Sequence, residues 1–212
     1  MVRINKVVEE SYVDGPGRRT VVFFQGCPIE CVGCQNKALW SANGGDAYDE
    51  EQLAKWLAFL ARNHGNVTIS GGEPFAQVKS LAKLVWYLKR EGVQNIIVYS
   101  GYTWETLLNP LTGVMTWVKT VMENIDVLVD GQFVRELDDP FITYRGSRNQ
   151  RPIDVQASLC EGKVITLDWD NPEVVITADG NALMPVGLAV EIATADILSN
   201  TRMCGQTRPI KR

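Results

Sequence analysis

Four short apolar runs, at residues 20–24, 67–70, 95–100 and 125–129, alternate with stretches of helical periodicity, and each empties into a segment of unusual composition. Such β-α-β-α order predicts a parallel sheet with right-handed crossovers. In parallel α/β folds, open or closed, ligand sites lie at the carboxyl ends of the strands. The segments at those ends are 26–36, 71–74, 100–101 and 130–131, so the pattern gathers them on one rim. Between the runs, Asp49 can cap a helix to about residue 63, with Leu53, Trp56, Leu57, Leu60 and Ala61 on one face. His64 and Gly65 close it. A second helix over about 77–90 carries Leu81, Leu84, Val85 and Leu88 inward and stops at Gly92. Shorter helical segments fill 104–108 and 114–123, and residues 2–8 alternate like a strand ahead of a polar loop at 9–19.

The first rim segment reads Gly-Cys-Pro-Ile-Glu-Cys-Val-Gly-Cys-Gln-Asn from Gly26 to Asn36. Three of the five cysteines, Cys27, Cys31 and Cys34, fall within eight residues, and glycines at 26 and 33 let so short a loop turn their sulfurs toward one point. Convergent thiolates suit a soft-metal centre, and iron–sulfur clusters are held by Cys thiolates. A structural zinc would need a fourth ligand at a matching spacing. No second Cys-x2-Cys follows, the only histidine is His64, and Cys160 and Cys204 stand alone. A four-iron cubane on three cysteines keeps one iron free of protein ligands, as catalytic sites do.

Composition narrows the class. The chain has 212 residues, 45% of them hydrophobic and 22% charged, enough for one well-buried domain with an appendage. A formal net charge of -4 and a pI near 5.1 argue against a nucleic-acid partner held through phosphates. No apolar run approaches the ~20 residues of a membrane span, and residues 1–5 lack the apolar core of a signal peptide. An odd cysteine count with three clustered is not a secreted disulfide framework. The expectation is a cytoplasmic protein in a reducing compartment. From residue 161 the pattern turns to β: strands at 163–169 and 173–178, and an Asp179-Gly180 turn into 182–186. The division expected is a catalytic unit over 1–160 and a small β appendage with a basic tail (Arg202, Arg208, Lys211, Arg212) over 161–212.

The cysteine spacing resembles that of radical S-adenosylmethionine (radical SAM) enzymes. Around it, Asp14-Gly15-Pro16-Gly17, Arg19-Thr20, the run 21–26, Gln35-Asn36 and Trp40 resemble the opening of glycyl-radical-enzyme activases. Gly71-Gly72-Glu73-Pro74 and Val129-Asp130-Gly131 extend the likeness. The stretch Arg145-Gly146-Ser147-x-Asn149-Gln150 is similar to the activators of anaerobic ribonucleotide reductase. The resemblance covers roughly residues 1–160. Gln35 departs from it, standing where the family often has His, and the chain runs on past the usual end.

The resemblance implies a partial, open (β/α) barrel. It implies a [4Fe-4S] cluster on Cys27, Cys31 and Cys34, with the amino and carboxylate groups of S-adenosylmethionine on the fourth iron. One-electron cleavage of that cofactor then gives methionine and a 5′-deoxyadenosyl radical, which takes a hydrogen from a glycine Cα. Gly71, Gly72, Glu73 and Pro74 would meet the methionine amino end. Ser100 and Asp130 would bond the carboxylate or ribose, and Asn36 the adenine or the loop. The partners implied are the large subunit of an anaerobic ribonucleotide reductase and an electron donor such as flavodoxin or ferredoxin. Alternatives keep the chemistry on another glycyl radical enzyme or a small molecule. From a different class stands an electron-transfer iron–sulfur protein, for which Cys160 or Cys204 would be the fourth ligand.

Overall fold

The computed structural model describes residues 1–110 and 113–170, together with the backbone of two short strands at 175–176 and 182–183. Its centre is a seven-stranded sheet in the order β3-β1-β2-β4-β5-β6-β7. The strands are β1 (Val2–Ser11), β2 (Arg19–Phe24), β3 (Asp46–Tyr48), β4 (Asn66–Gly71), β5 (Asn95–Tyr99), β6 (Val127–Asp130) and β7 (Arg151–Asp154). β2, β4, β5 and β6 form the expected parallel block. Antiparallel strands flank it, β1 and β3 on one side and β7 on the other. The first and last strands do not pair, so the sheet is an open α/β half-barrel.

Helices cover one face only. They are α1 (Glu50–Leu60), α2 (Val78–Arg90), α3 (Trp104–Leu107), α4 (Met115–Asn124) and α5 (Val155–Glu161). Asp49 caps α1 as expected, accepting from the Glu51 and Gln52 amides at 3.0 Å each. His64 follows a 3₁₀ turn at Ala61–Asn63 and donates its backbone N–H to the Ala61 carbonyl. On α2, Leu81, Leu84, Val85 and Leu88 are fully buried, each worth about 1.5–3 kcal/mol of transfer free energy. They meet Val22, Phe24, Val67, Ile69, Ile96, Val98 and Leu128 from the sheet. Trp56 departs from the expected inward face of α1; it is 42% exposed and stacks on Tyr48, centroids 6.2 Å apart.

Because side chains alternate along a strand, the same strands send Thr68, Ser70, Ile97, Tyr99, Val127 and Val129 to the opposite, concave face. Ile97, Val127 and Val129 cluster there with Tyr99, Leu167 and Trp169. Arg19 lies at the foot of this face, 2% exposed. It donates to the Thr68 hydroxyl, the Pro16, Val67 and Asn95 carbonyls and the Asn95 side chain. Burial lowers its pKa to about 10. The Asp14-Gly15-Pro16-Gly17 turn is therefore pinned at the amino end of the parallel strands, away from the cysteines.

Beyond residue 150 the elements differ from the sequence expectation, as does the short β3, which was not expected. β7 and α5 follow residue 150 directly, and residues 163–169 are no independent strand. They make one bridge, Ile153↔Thr166, flanked by Asp154 N–H to Ile165 O at 2.9 Å and Leu167 N–H to Pro152 O at 2.7 Å. Further on, β8 (Val175–Ile176) and β9 (Ala182–Leu183) pair antiparallel as a separate two-stranded sheet. The remainder of the expected 173–186 hairpin, its Asp179-Gly180 turn, Cys204 and the basic tail lie outside the described residues. Among the described residues no helix is long and apolar enough to cross a membrane.

Candidate functional site

β2 delivers the chain straight into the cysteine loop. The base of that loop is tied by backbone bonds, Gly26 N–H to Leu39 O at 2.8 Å and Cys27 N–H to Trp40 O at 3.0 Å. The Gln25 amide adds a bond to Ser41 O at 2.7 Å. Inside the loop Cys34 N–H turns back to Cys31 O, and Asn36 N–H lies 3.4 Å from the Cys34 Sγ. Cys27, Cys31 and Cys34 are free thiols, each half-buried. All three line one cavity at the carboxyl end of the parallel strands, of roughly 160 Å³ and open on one side. Among the described residues no three His, Cys, Asp or Glu side chains are gathered closely enough to share a single ion. Cys27, Cys31 and Cys34 share the wall of this cavity, and in an iron–sulfur cluster each thiolate takes its own iron.

The rest of the cavity wall comes from the other strand ends. β4 contributes Ser70, Gly71, Gly72 and Glu73; β5 contributes Tyr99, Ser100 and Gly101; β6 leads to Gly131 and Phe133; Ile29, Asn36, Trp40 and Gln150 complete it. The Gly-Gly pair is needed by protein packing before any ligand is considered. A Cβ on Gly72 would stand 2.3 Å from the Gly26 carbonyl oxygen, and one on Gly71 would stand 2.3 Å from the Phe24 amide nitrogen, where φ is also +115°. Gly72 N–H bonds Phe24 O and Glu73 N–H bonds Gly26 O, both at 2.8 Å. The turn is thus the backrest of the cysteine loop.

Glu73 is 1% exposed. Its carboxylate accepts from Phe75 N–H at 2.9 Å, Ser100 Oγ at 3.0 Å and Gly101 N–H at 2.7 Å. Burial pushes its pKa up to about 7, and the three donors only partly offset that. Ser100 also accepts from Tyr102 N–H. Burial likewise raises the Cys31 thiol, the nearby Cys27 and Cys34 add to the effect, and the Phe133 backbone amide opposes it.

The structure brings Asn36, Gly71, Gly72, Glu73 and Ser100 to the cavity with the cysteines. Pro74 is buried just behind it, opening a 3₁₀ turn at Pro74–Gln77. Asp130 does not reach the cavity. Val129 faces the concave side, so the next side chain faces the helices. There Asp130 accepts from Trp104 N–H at 2.7 Å and from Arg151 at 2.9 and 2.6 Å. Cys160 lies on α5, which contributes nothing to the lining. The sequence gives no cavity role to Ser70 or Tyr99, and it marks Gln150 only as the end of the 145–150 motif. Strand parity points the first two at the cavity, whereas only the fold places Gln150 there.

The residues present fit a cysteine-held cluster. The donor set is three thiols, with no fourth Cys and no His in the lining among the described residues. Trp40, whose carbonyl holds Cys27, has a buried indole N–H without any acceptor, and such a donor is costly to leave unmade.

Comparison with known proteins agrees with this geometry. The family model described as "4Fe-4S single cluster domain" matches residues 13–153. The chain is similar to the anaerobic ribonucleoside-triphosphate reductase-activating protein of Escherichia coli (strain K12), 36% identical over 144 residues, covering 65% of this chain and 89% of the relative. The protein of the same name from Salmonella typhimurium is 36% identical over 155 residues, 70% of this chain and 96% of the relative. The pyruvate formate-lyase-activating enzyme of Clostridium pasteurianum is 35% identical over 146 residues, 66% of this chain but 61% of the relative.

Proposed function

Since this chain belongs to the 4Fe-4S single-cluster family of radical SAM enzymes, we propose that it is an activase whose target is an anaerobic ribonucleoside-triphosphate reductase. The observation that carries the reading is the meeting of Cys27, Cys31, Cys34 and Gly71–Glu73 around one cavity at the strand ends. Choice of target rests on extent: the chain spans 89–96% of two reductase-activating relatives but 61% of the lyase-activating one.

Cys27, Cys31 and Cys34 would hold three irons of the cluster. When bound, the cluster supplies one electron to S-adenosylmethionine, breaking its sulfonium C–S bond and yielding the 5′-deoxyadenosyl radical that removes a hydrogen from the partner's glycine. The chain's own residues bind and shield. Glu73, ionised, offers its carboxylate as an acceptor to the methionine amino N–H, and Gly71 and Gly72 bring backbone to the cavity wall without a side chain in the way. Asn36 and Ser100 supply polar groups at its margins. Asp130 acts from behind, holding the end of β6 and the start of α3. Ile29, Tyr99 and Phe133 provide apolar wall that limits water. Residues 1–160 carry these groups, the 161–212 segment is an appendage to them, and the electron arrives from a donor such as flavodoxin or ferredoxin.

Anaerobic reconstitution with iron and sulfide, followed by S-adenosylmethionine and a low-potential reductant, tests the reading. The expected product is 5′-deoxyadenosine, together with a glycyl-radical electron paramagnetic resonance doublet when the reductase large subunit is present. Cofactor cleavage with no doublet on the reductase would overturn the target; no cleavage at all would overturn the activase.

A further inference from the structure

Residues 163–170 lie past residue 153, where the matched family model ends, yet they alternate as a strand would. Leu167 and Trp169 turn inward and are half-buried, while Thr166, Asp168 and Asp170 are exposed. The segment runs along the edge of β7 that β6 leaves free, through the Ile153↔Thr166 bridge. Ile165 N–H is held by the Ser158 hydroxyl at 2.8 Å. On the concave face, Leu167 and Trp169 pack over Ile97, Val127 and Val129. An open half-barrel leaves that face to water, but all three of these residues are buried.

A latch holds the covering strand in place. Thr143 donates its N–H to Asp170 Oδ1 at 3.2 Å and its hydroxyl to the Trp169 carbonyl, and Arg145 pairs with the Asp170 carboxylate. The Arg145 side chain is 9% exposed and its Nε–H has no acceptor, so losing Asp170 would strand a buried cation. Between these two residues, Tyr144 takes φ +56°, a conformation uncommon for a residue with a Cβ. It is fixed from two sides. Its ring meets Trp169 edge-on, centroids 5.6 Å apart, and its carbonyl accepts from the Tyr99 hydroxyl at 2.7 Å. Tyr99 belongs to the cavity wall. Trp169, Tyr144 and Tyr99 thus make one unbroken line of contacts from the segment to the site.

We propose that residues 163–170 are the floor of the site in this chain: they seal the β5–β6 half of the trough and, through Tyr144, hold Tyr99 in the cavity wall. The protective role of that floor rests on the activase reading above. Trp169 is a positioning residue, since it touches Tyr144 and the β5–β6 cluster and is not in the cavity lining. A carbon-centred radical needs a site that excludes stray reactants, and on this wall the chain supplies the exclusion itself.

The test uses the full chain, first as apoprotein. Hydroxyl-radical footprinting, read by peptide mass spectrometry, should find Tyr99 and Val129 weakly labelled in wild type and several-fold more reactive in Trp169→Ala. Trp169→Phe should restore most of the protection. Asp170→Ala keeps the apolar packing but opens the latch, and should expose the same two residues to a smaller extent. The exposed Tyr12 serves as internal reference. In the reconstituted protein, Trp169→Ala should weaken S-adenosylmethionine binding several-fold and raise the 5′-deoxyadenosine released per glycyl radical, with Trp169→Phe restoring both. Unchanged labelling of Tyr99 and Val129 in Trp169→Ala overturns the floor, and so does increased labelling with affinity and product ratio both unmoved. A wild type that binds no S-adenosylmethionine strikes the activase reading and the protective role with it, whereas the labelling, read without a cluster, still decides whether the segment seals the face.

Discussion

Arg151 grips Asp130 with two parallel bonds, Nε to Oδ1 at 2.9 Å and a terminal nitrogen to Oδ2 at 2.6 Å, across the antiparallel pairing of β7 with β6. The same guanidinium reaches Glu105 on α3 at 2.9 Å. Asp130 is 1% exposed, and a buried carboxylate deprived of its cation is a large liability. Arg151→Met should therefore cost about 3 kcal/mol in chemical denaturation of the apoprotein. Asp130→Asn should cost less, since the side chain still accepts from Trp104 N–H. Equal, small losses for both would mean that the pair is not what holds this edge.

Gly72→Ala is expected to damage the cysteine loop itself. The new methyl group would fall 2.3 Å from the Gly26 carbonyl and 3.1 Å from Leu39 O, both backbone atoms that cannot swing away. Reconstituted iron should drop along with cofactor affinity. Full iron content with affinity alone reduced would restore the simpler idea that this glycine serves only the ligand.

Glu73 makes stability depend on pH in a stated direction. Its folded pKa, about 7, stands above the ordinary carboxyl value, so the folded state binds the proton more tightly than the unfolded one. The stability it contributes is complete below about pH 4 and is lost as pH rises through about 7, by up to roughly 3 kcal/mol. Urea titrations of the apoprotein from pH 5 to 8 should show this decline, and Glu73→Gln should flatten it. An identical slope in the variant would assign the dependence to other groups.

Cofactor affinity should follow the opposite course. An ionised Glu73 is the form that accepts fully from the amino N–H of the bound methionine end, so binding of S-adenosylmethionine should tighten between about pH 6 and 8 and release a proton below pH 7. Calorimetry in buffers of different ionisation enthalpy reads the proton directly. A pH-independent affinity would separate Glu73 from the methionine end.

Cys27→Ala, Cys31→Ala and Cys34→Ala should each abolish cluster absorbance, while Cys160→Ala leaves it intact because α5 lies away from the cavity. Loss of the cluster in Cys160→Ala would mean that a fourth thiolate takes part.

Legibility in the sequence followed the strength of each local signal. The α1 cap at Asp49 and the apolar stripe of α2 were readable because capping and 3.6-residue periodicity are short-range properties. The parallel block followed from alternation, and the shared rim followed from the block. Asp130 belongs to the Val129-Asp130-Gly131 motif, but strand parity decides where it points: Val129 facing inward sends the next residue outward. β7 was invisible for a different reason. Four residues, Arg-Pro-Ile-Asp, carry no strand pattern, and Pro152 is tolerated there only because β7 is an edge strand. The 145–150 stretch stands out in the sequence, but its hydrogen bonds to residues 131–137 are visible only in the fold.

Because β3 and β7 never join, the scaffold is a trough and not a pipe. A polypeptide can be laid into such a trough from the side and lifted out again, without a free end to thread. A tube of the same strands would admit only a terminus. For an activase whose target residue belongs to another polypeptide, an unclosed wall leaves a side approach for that chain.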